Sequence, residues 1–158
     1  MADLLVRLYD LPPAAPAVER LAGKGVVVRR AAASERAVVA TFARTHGSEG
    51  WANECEVAFA RLPLACFVAV DGSTQILLGL ACYEAACRDF FGPELVRPDR
   101  RGQGIGRALL LVTLEAMRAE GYAYAIIGWA SSVEFYERAV GAVVIEGSEP
   151  GIYPPGLR

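Results

Sequence analysis

The chain has 158 residues, 54% hydrophobic and 22% charged, which suits one compact core and excludes the composition of a disordered protein. Lys and Arg total 16 against 18 Asp and Glu, a formal net charge of -2, so no general field draws in nucleic acid. Cys55, Cys66, Cys82 and Cys87 form no Cys-x-x-Cys pair and accompany a single histidine, a poor basis for a zinc site or a disulfide framework; buried, reduced thiols are expected.

The start, Met1 to Arg7, lacks a basic leader and an apolar stretch, so a cytoplasmic chain without a secretory signal is expected. The apolar run Ile76 to Tyr83 is too short to span a bilayer, and no membrane partner is expected. Leu4 to Leu8 alternates as a strand, with Leu4, Val6 and Leu8 on one face. Pro12, Pro13 and Pro16 interrupt regular structure before one or two helical turns over Ala17 to Ala22. Val26-Val27-Val28 reads as a strand, and Ser34 is positioned to cap a helix running to about Thr45. A second helix is predicted over Trp51 to Leu62. Cys66 to Val70 and Ile76 to Tyr83 then form a hairpin about Asp71-Gly72-Ser73.

Phe90 to Val96 is a further strand, interrupted by Gly92-Pro93, where a bulge or splay is predicted. A long amphipathic helix spans Gly104 to about Ala119, with Ile105, Leu109, Val112 and Ala116 as one stripe and Leu110, Leu114 and Met117 broadening it. Tyr122 to Trp129 reads as a central strand. Ser131 and Glu134 have the spacing of a capping box before a helix over Ser132 to Val140. Ala142 to Glu146 is the last clear strand. A strand, a glycine-rich turn, a helix and a strand make a βαβ unit with antiparallel strands before it, hence an α/β domain with a mixed sheet.

The glycine-rich turn carries the chemistry. In Arg100-Arg101-Gly102-Gln103-Gly104-Ile105-Gly106-Arg107, three glycines alternate immediately before the long helix. Backbone without side chains can approach a ligand closely, and the first helical turn offers unpaired N–H groups to phosphate. The flanking guanidiniums suit phosphate oxygens. Arg97 belongs to the same basic cluster. A Walker loop would need Gly-Lys-Ser/Thr, and a dinucleotide fingerprint needs Gly-x-Gly-x-x-Gly; neither is present.

This run resembles the acetyl-CoA signature of the GCN5-related N-acetyltransferase (GNAT) family, Arg/Gln-x-x-Gly-x-Gly/Ala, with Arg101, Gly104 and Gly106 at its fixed positions. The resemblance extends through the element order from about Val26 to Glu146. It implies a mixed, mostly antiparallel sheet with a bulged and splayed strand, flanked by helices. It also implies one acyl-CoA N-acyltransferase domain over residues 1–158, with an N-terminal extension at about 1–23. Acetyl-CoA would be held by Leu95, Val96, Arg101, Gly102, Gln103, Gly104, Ile105, Gly106 and Arg107, and an acetyl group passed directly to a primary amine on a small molecule or peptide. A non-catalytic acyl-CoA sensor is the alternative.

Val133 to Ala142 resembles the family's Phe-Tyr-x-x-x-Gly-Phe region, with Gly141 one residue late and Ala142 in place of an aromatic. Tyr136 thereby takes the role of proton donor to the departing thiolate, which suits a phenol; packing is its plain alternative. The base is open among Glu94, Asp89, Glu84, Glu54 and Glu56, with Glu94 and Asp89 put forward. His46 reads as a helix-end residue. No metal is expected. The segment Leu4 to Gly23 could add an edge strand, support a homodimer or pack on its own sheet. Ile152-Tyr153 offers little as a closing strand, leaving an open acceptor site or one completed by another chain.

Overall fold

The computed structural model describes residues 1–153, 155 and 156. Seven strands form one sheet in the order β2-β3-β4-β5-β6-β1-β7. They are β1 (Leu4–Arg7), β2 (Val26–Arg30), β3 (Cys66–Asp71), β4 (Leu77–Tyr83), β5 (Phe90–Val96), β6 (Tyr124–Ile127) and β7 (Val143–Val144). Every neighbouring pair is antiparallel except β5 with β6. The helices are α1 (Ala15–Ala22), α2 (Arg36–His46), α3 (Glu49–Ala58), α4 (Ile105–Ala119) and α5 (Val133–Val140). The mixed sheet expected from the sequence is present.

The N-terminal strand is not an edge. Leu4, Leu5, Val6 and Arg7 pair with Ile127, Ile126, Ala125 and Tyr124, and Leu4 and Leu5 also pair with Val144 and Val143. Its alternation places Leu4 and Val6 fully in the core, as period two requires. Leu8 continues that buried face but starts a 3-10 turn, so the strand ends one residue early. The place beside β6 is thus filled from the N-terminus, and the tail around Ile152-Tyr153 forms no strand there.

Local chemistry explains the other departures. Ser34 does not cap α2: it sits in a 3-10 turn over Ala33–Glu35, and Glu35 Oε2 accepts the Ala32 N–H at 2.7 Å. The cap that forms is Ser48, whose Oγ accepts the Trp51 N–H at 3.1 Å and starts α3 two residues before Trp51. The helix stops at Ala58 rather than Leu62. The Ser131–Glu134 capping box does not form, because the helix begins one residue later with Ser132 at its N-cap and no side-chain bond there. Strand β6 is confined to four residues by its pairing with β1, and Trp129 lies beyond it at a φ of 47°. The final strand contracts to Val143–Val144.

Helix α4 is buried on more than the expected stripe. Ala108, Leu109, Leu110, Leu111 and Leu114 are all fully buried, whereas Val112 and Ala116 are only partly so. The sheet covers one side; α1 and the turn after β1 cover another. Glu115 Oε1 accepts the Ala14 N–H at 2.9 Å and fastens the start of α1 to this helix. The three-proline segment is therefore a bridge into a packed helix.

The splay is the feature that makes a site. Strand β5 pairs with β6 only at Phe90↔Ile126 and Phe91↔Ile127. The β4–β5 register slips between Ala81 and Tyr83, opposite Glu94 and Phe91. Beyond Phe91 the two central strands diverge, and the β5 edge from Gly92 to Val96 has no partner on the β6 side. Gly92-Pro93 lies at the point of separation, where Gly92 has a φ of 124°. Proline is tolerated there because that edge has no ladder hydrogen bond to lose.

Candidate active site

A cleft of about 1140 Å³ opens where β5 and β6 part. Its lining draws on α3, β5, the glycine turn, the segment after β6, α5 and Tyr153. Leu95, Val96, Arg101, Gly102, Gly104, Ile105, Gly106 and Arg107 all line it. Gln103 does not; it borders a separate shallow depression with Arg20, Lys24 and Arg107.

Gly102 and Gly104 have φ values of 74° and 90°, which favour glycine, and no atom lies within 4 Å of where either Cβ would project. Ala108 is the first residue of α4 to bond back, to the Gly104 carbonyl at 3.1 Å. The N–H groups of Gly102 through Arg107 have no backbone acceptor among the described residues. A left-handed residue at the cap thus turns a short row of donors outward at the positive end of a fifteen-residue helix.

Arginines frame this row unequally. Arg97 is spent on Asp99, bonded through Nε and Nη2 at 2.8 and 2.7 Å, which removes it from the expected basic cluster. Arg100, Arg101 and Arg107 have no acidic partner among the described residues. Arg101 Nε donates to the Val96 carbonyl at 3.2 Å and Arg107 Nη1 to the Ala139 carbonyl at 3.4 Å. Both retain further N–H donors for an anion.

Below the turn, Tyr136 Oη and Glu94 Oε2 are 3.1 Å apart. Glu94 projects from β5 and Tyr136 from α5, whose aromatic contacts with Phe91 and Phe135 fix the ring. Glu94 is only partly buried as a residue, but its Oε1 is sealed from solvent with no hydrogen-bond partner among the described residues. A Cβ on Gly106 would stand 3.3 Å from that oxygen, so the third glycine keeps room for the carboxyl group. Burial pushes the Glu94 carboxyl up to about 8, against a smaller opposing effect of the Tyr136 hydrogen bond. Burial, then the neighbouring carboxylate, raises the Tyr136 hydroxyl above its ordinary value.

The remaining sequence candidates separate. Asp89 does not line the cleft; it occupies a turn at φ 69°, where its carbonyl accepts the Ile126 N–H at 2.8 Å. Its carboxyl is raised by burial first and by Glu84 second. Glu84 is bonded to Arg61 at 2.6 Å and to the Tyr122 hydroxyl, away from the cleft. Glu56 pairs with Arg36 at 2.7 Å on the surface. Glu54 does line the cleft, and burial raises its carboxyl. His46 also reaches it, at the end of α2, with its ring against Phe42 at 4.6 Å.

Cys82 is fully buried, its thiol 3.8 Å from that of Cys55. Hydrogen bonding with Cys55 and Cys66, reinforced by burial, raises its pKa and leaves it a poor nucleophile. Cys87 is exposed and outside the cleft. No group of described residues has the makings of a metal site, and no described helix is long and apolar enough to cross a membrane.

Tyr153 is a lining residue whose part in the site sequence reasoning missed. Its ring lies 4.6 Å from Trp129, whose Nε1 donates to the Pro150 carbonyl at 2.7 Å. No periodic signal marks a lone tyrosine in a Pro/Gly-rich tail. Trp129 is held from a second direction, its N–H donating to Asp3 Oδ1 at 2.9 Å. Asp3 is itself buried just before β1.

Residues 63–139 match the family model of the acetyltransferase (GNAT) domain. No curated protein matches the sequence. Among solved structures, the GCN5-related glucosamine N-acetyltransferase region of a fungal multi-domain GH3 β-N-acetylglucosaminidase superposes with a TM-score of 0.73 at 15% identity, covering 91% of this chain and 19% of that one. A GCN5-related N-acetyltransferase from Sphaerobacter thermophilus gives 0.65 at 22% identity, covering 91% and 48%. One from Kribbella flavida gives 0.60 at 16%, covering 90% and 53%. The chain therefore spans between about a fifth and about half of these proteins, and at such identities the likeness is one of fold.

Proposed function

Because residues 63–139 match the acetyltransferase (GNAT) domain model, we propose that this protein moves an acetyl group from acetyl-CoA to a primary amine by direct attack. The observation that carries the reading is the Tyr136–Glu94 hydrogen bond beside a row of outward amides. The cofactor fits what the cleft provides: open glycines, free N–H donors and arginines without acidic partners. Arg101 and the amides from Gly102 to Gly106 would hold its diphosphate, and the free β5 edge at Leu95 and Val96 its pantetheine arm. When bound, acetyl-CoA supplies the acetyl thioester.

The chain's own part is to position the amine and manage its proton. Glu94 Oε2, the oxygen that Tyr136 reaches, receives a proton from the attacking amine, directly or through a water. The carboxyl group then donates from its Oε2 side to Tyr136 Oη. Tyr136 is thereby free to release its own proton where the thiolate departs. Each proton taken is matched by one given, so neither residue ends the cycle changed. An unpaired main-chain N–H on the β5 edge is the donor available to the developing oxyanion.

An assay of CoA release across a panel of amines, with acetyl-CoA hydrolysis as background, tests this reading. Amine-dependent release is expected. Binding of acetyl-CoA without release above background for any amine would leave a binding protein and remove the enzyme.

A further inference from the structure

The cleft has two ends of opposite character. Its cations, Arg100, Arg101 and Arg107, stand at the glycine turn. The aromatic end carries Trp51 and Glu54 from α3 with Phe90, Trp129 and Tyr153, the last three gathered about Gly128. No lysine or arginine among the described residues lines that end. His46 is stacked on Phe42, and the terminal ammonium of Met1 is taken by Glu149.

Glu54 is unlike its neighbours on the same helix. Glu49 is bonded to Arg44 and Glu56 to Arg36. Glu54 has neither a hydrogen bond nor an ion pair to any described residue, though it is half-buried. Its charge is felt across the cleft, where it contributes with burial to lifting the Tyr153 hydroxyl to about 12. A carboxylate kept among rings without a counter-ion is matched by an incoming cation.

The rings form a fixed wall. A Cβ on Gly128 would lie 2.5 Å from the Tyr153 hydroxyl and 3.0 Å from the Phe90 ring, so this glycine lets the two close in on the strand end. Trp129 is fastened at its backbone to Asp3 and at its indole to Pro150. Such faces favour a flat apolar body by offset or edge contact, and favour an adjacent ammonium by cation–π attraction.

We propose that the α3 side of this cleft selects an arylalkylamine, a primary amine on an aromatic body without a carboxylate, guided by Glu54 and bounded by Trp51, Trp129 and Tyr153. A carboxylate on the acceptor would meet Glu54 with no cation among the described residues to offset it. This proposal rests on the acetyltransferase reading. Glu54 acts on the amine as it enters; Glu94 remains the group that takes the proton during attack.

The test uses a pair of acceptors differing only in the carboxylate, 2-phenylethylamine and phenylalanine, with glucosamine as a polar control. CoA release is measured for the full chain and for Glu54→Gln and Glu54→Asp, with acetyl-CoA affinity measured by calorimetry. Phenylethylamine should exceed phenylalanine in kcat/KM by at least about tenfold. Glu54→Gln should shrink that ratio through KM, Glu54→Asp should retain it, and both should bind acetyl-CoA like the parent. Equal use of the pair, preference for glucosamine, or an unchanged ratio in Glu54→Gln overturns the proposal. Transfer to other amines but not to phenylethylamine defeats this inference alone, whereas absent acetyl-CoA binding defeats the function on which it rests.

Discussion

Tyr136 and Glu94, 42 residues apart in sequence, meet at 3.1 Å because β5 and α5 converge beside the opening of the sheet. The phenol can donate one proton, either to the carboxylate or toward the cleft. Which of these it does is set by whether Glu94 already carries a proton. The base and acid proposed here share a hydrogen bond and would thus be coupled in their timing.

Tyr136→Phe removes the hydroxyl and keeps the ring packing against Phe91 and Phe135. The chemical step is expected to slow by about 10²-fold or more, with acetyl-CoA affinity little changed. Single-turnover transfer and calorimetry measure the two separately. Undiminished transfer would reduce Tyr136 to a packing residue.

The Glu94 carboxyl titrates near 8 instead of at its ordinary 4.5. As base it must be ionised, so kcat/KM should rise with pH through about 8, and Glu94→Gln should abolish that limb. The sign for folding is opposite. A carboxyl whose native pKa is raised contributes most to stability below about 4.5, and the contribution falls between there and 8 as ionisation in the native state lags the unfolded chain. Glu94→Gln should therefore melt higher than the parent at pH 8 to 9, by an amount worth on the order of 1–4 kcal/mol. Thermal melts at pH 5 and pH 9 measure the difference.

Arg101→Glu places a negative charge beside the free amides of the glycine turn. Acetyl-CoA affinity should fall by at least about tenfold, with the fold intact by circular dichroism. Equal affinity in both proteins by calorimetry would contradict the contact assigned to the diphosphate.

Thiol chemistry offers a check on packing. Cys55, Cys66 and Cys82 are buried and Cys87 is exposed. An aromatic disulfide reagent should modify Cys87 quickly in the native protein and the other three only after unfolding. Rapid modification of Cys82 would show that the β3–β4 core beneath α3 opens readily.

The sequence disclosed those parts whose physics is local. Short apolar runs marked β3, β4 and β5, and three glycines marked the turn before α4, because each signal lies within a few residues. Glu94 and Tyr136 could each be singled out, but their contact depends on how two distant elements close. The same distance concealed the place of β1, whose alternation had marked it as a strand: nothing in Leu4 to Arg7 states that its partners are Tyr124–Ile127 and Val143–Val144. Ser34 and Ser131 carried cap signals that tertiary packing overrode, while Ser48 capped a helix whose apolar pattern begins later. Tyr153 has no periodic context, and its neighbours across the cleft decide its role.

The position of β1 reverses the order of making and placing. These residues leave the ribosome before any other part of the sheet, yet both strands that receive them are among the last to emerge. A late joining of the two ends completes the wall behind Trp129, through Asp3. Peeling away the first eight residues would therefore dismantle the aromatic end of the cleft while leaving the glycine turn, proposed to hold phosphate, covalently intact, so that donor binding and acceptor use could be lost separately.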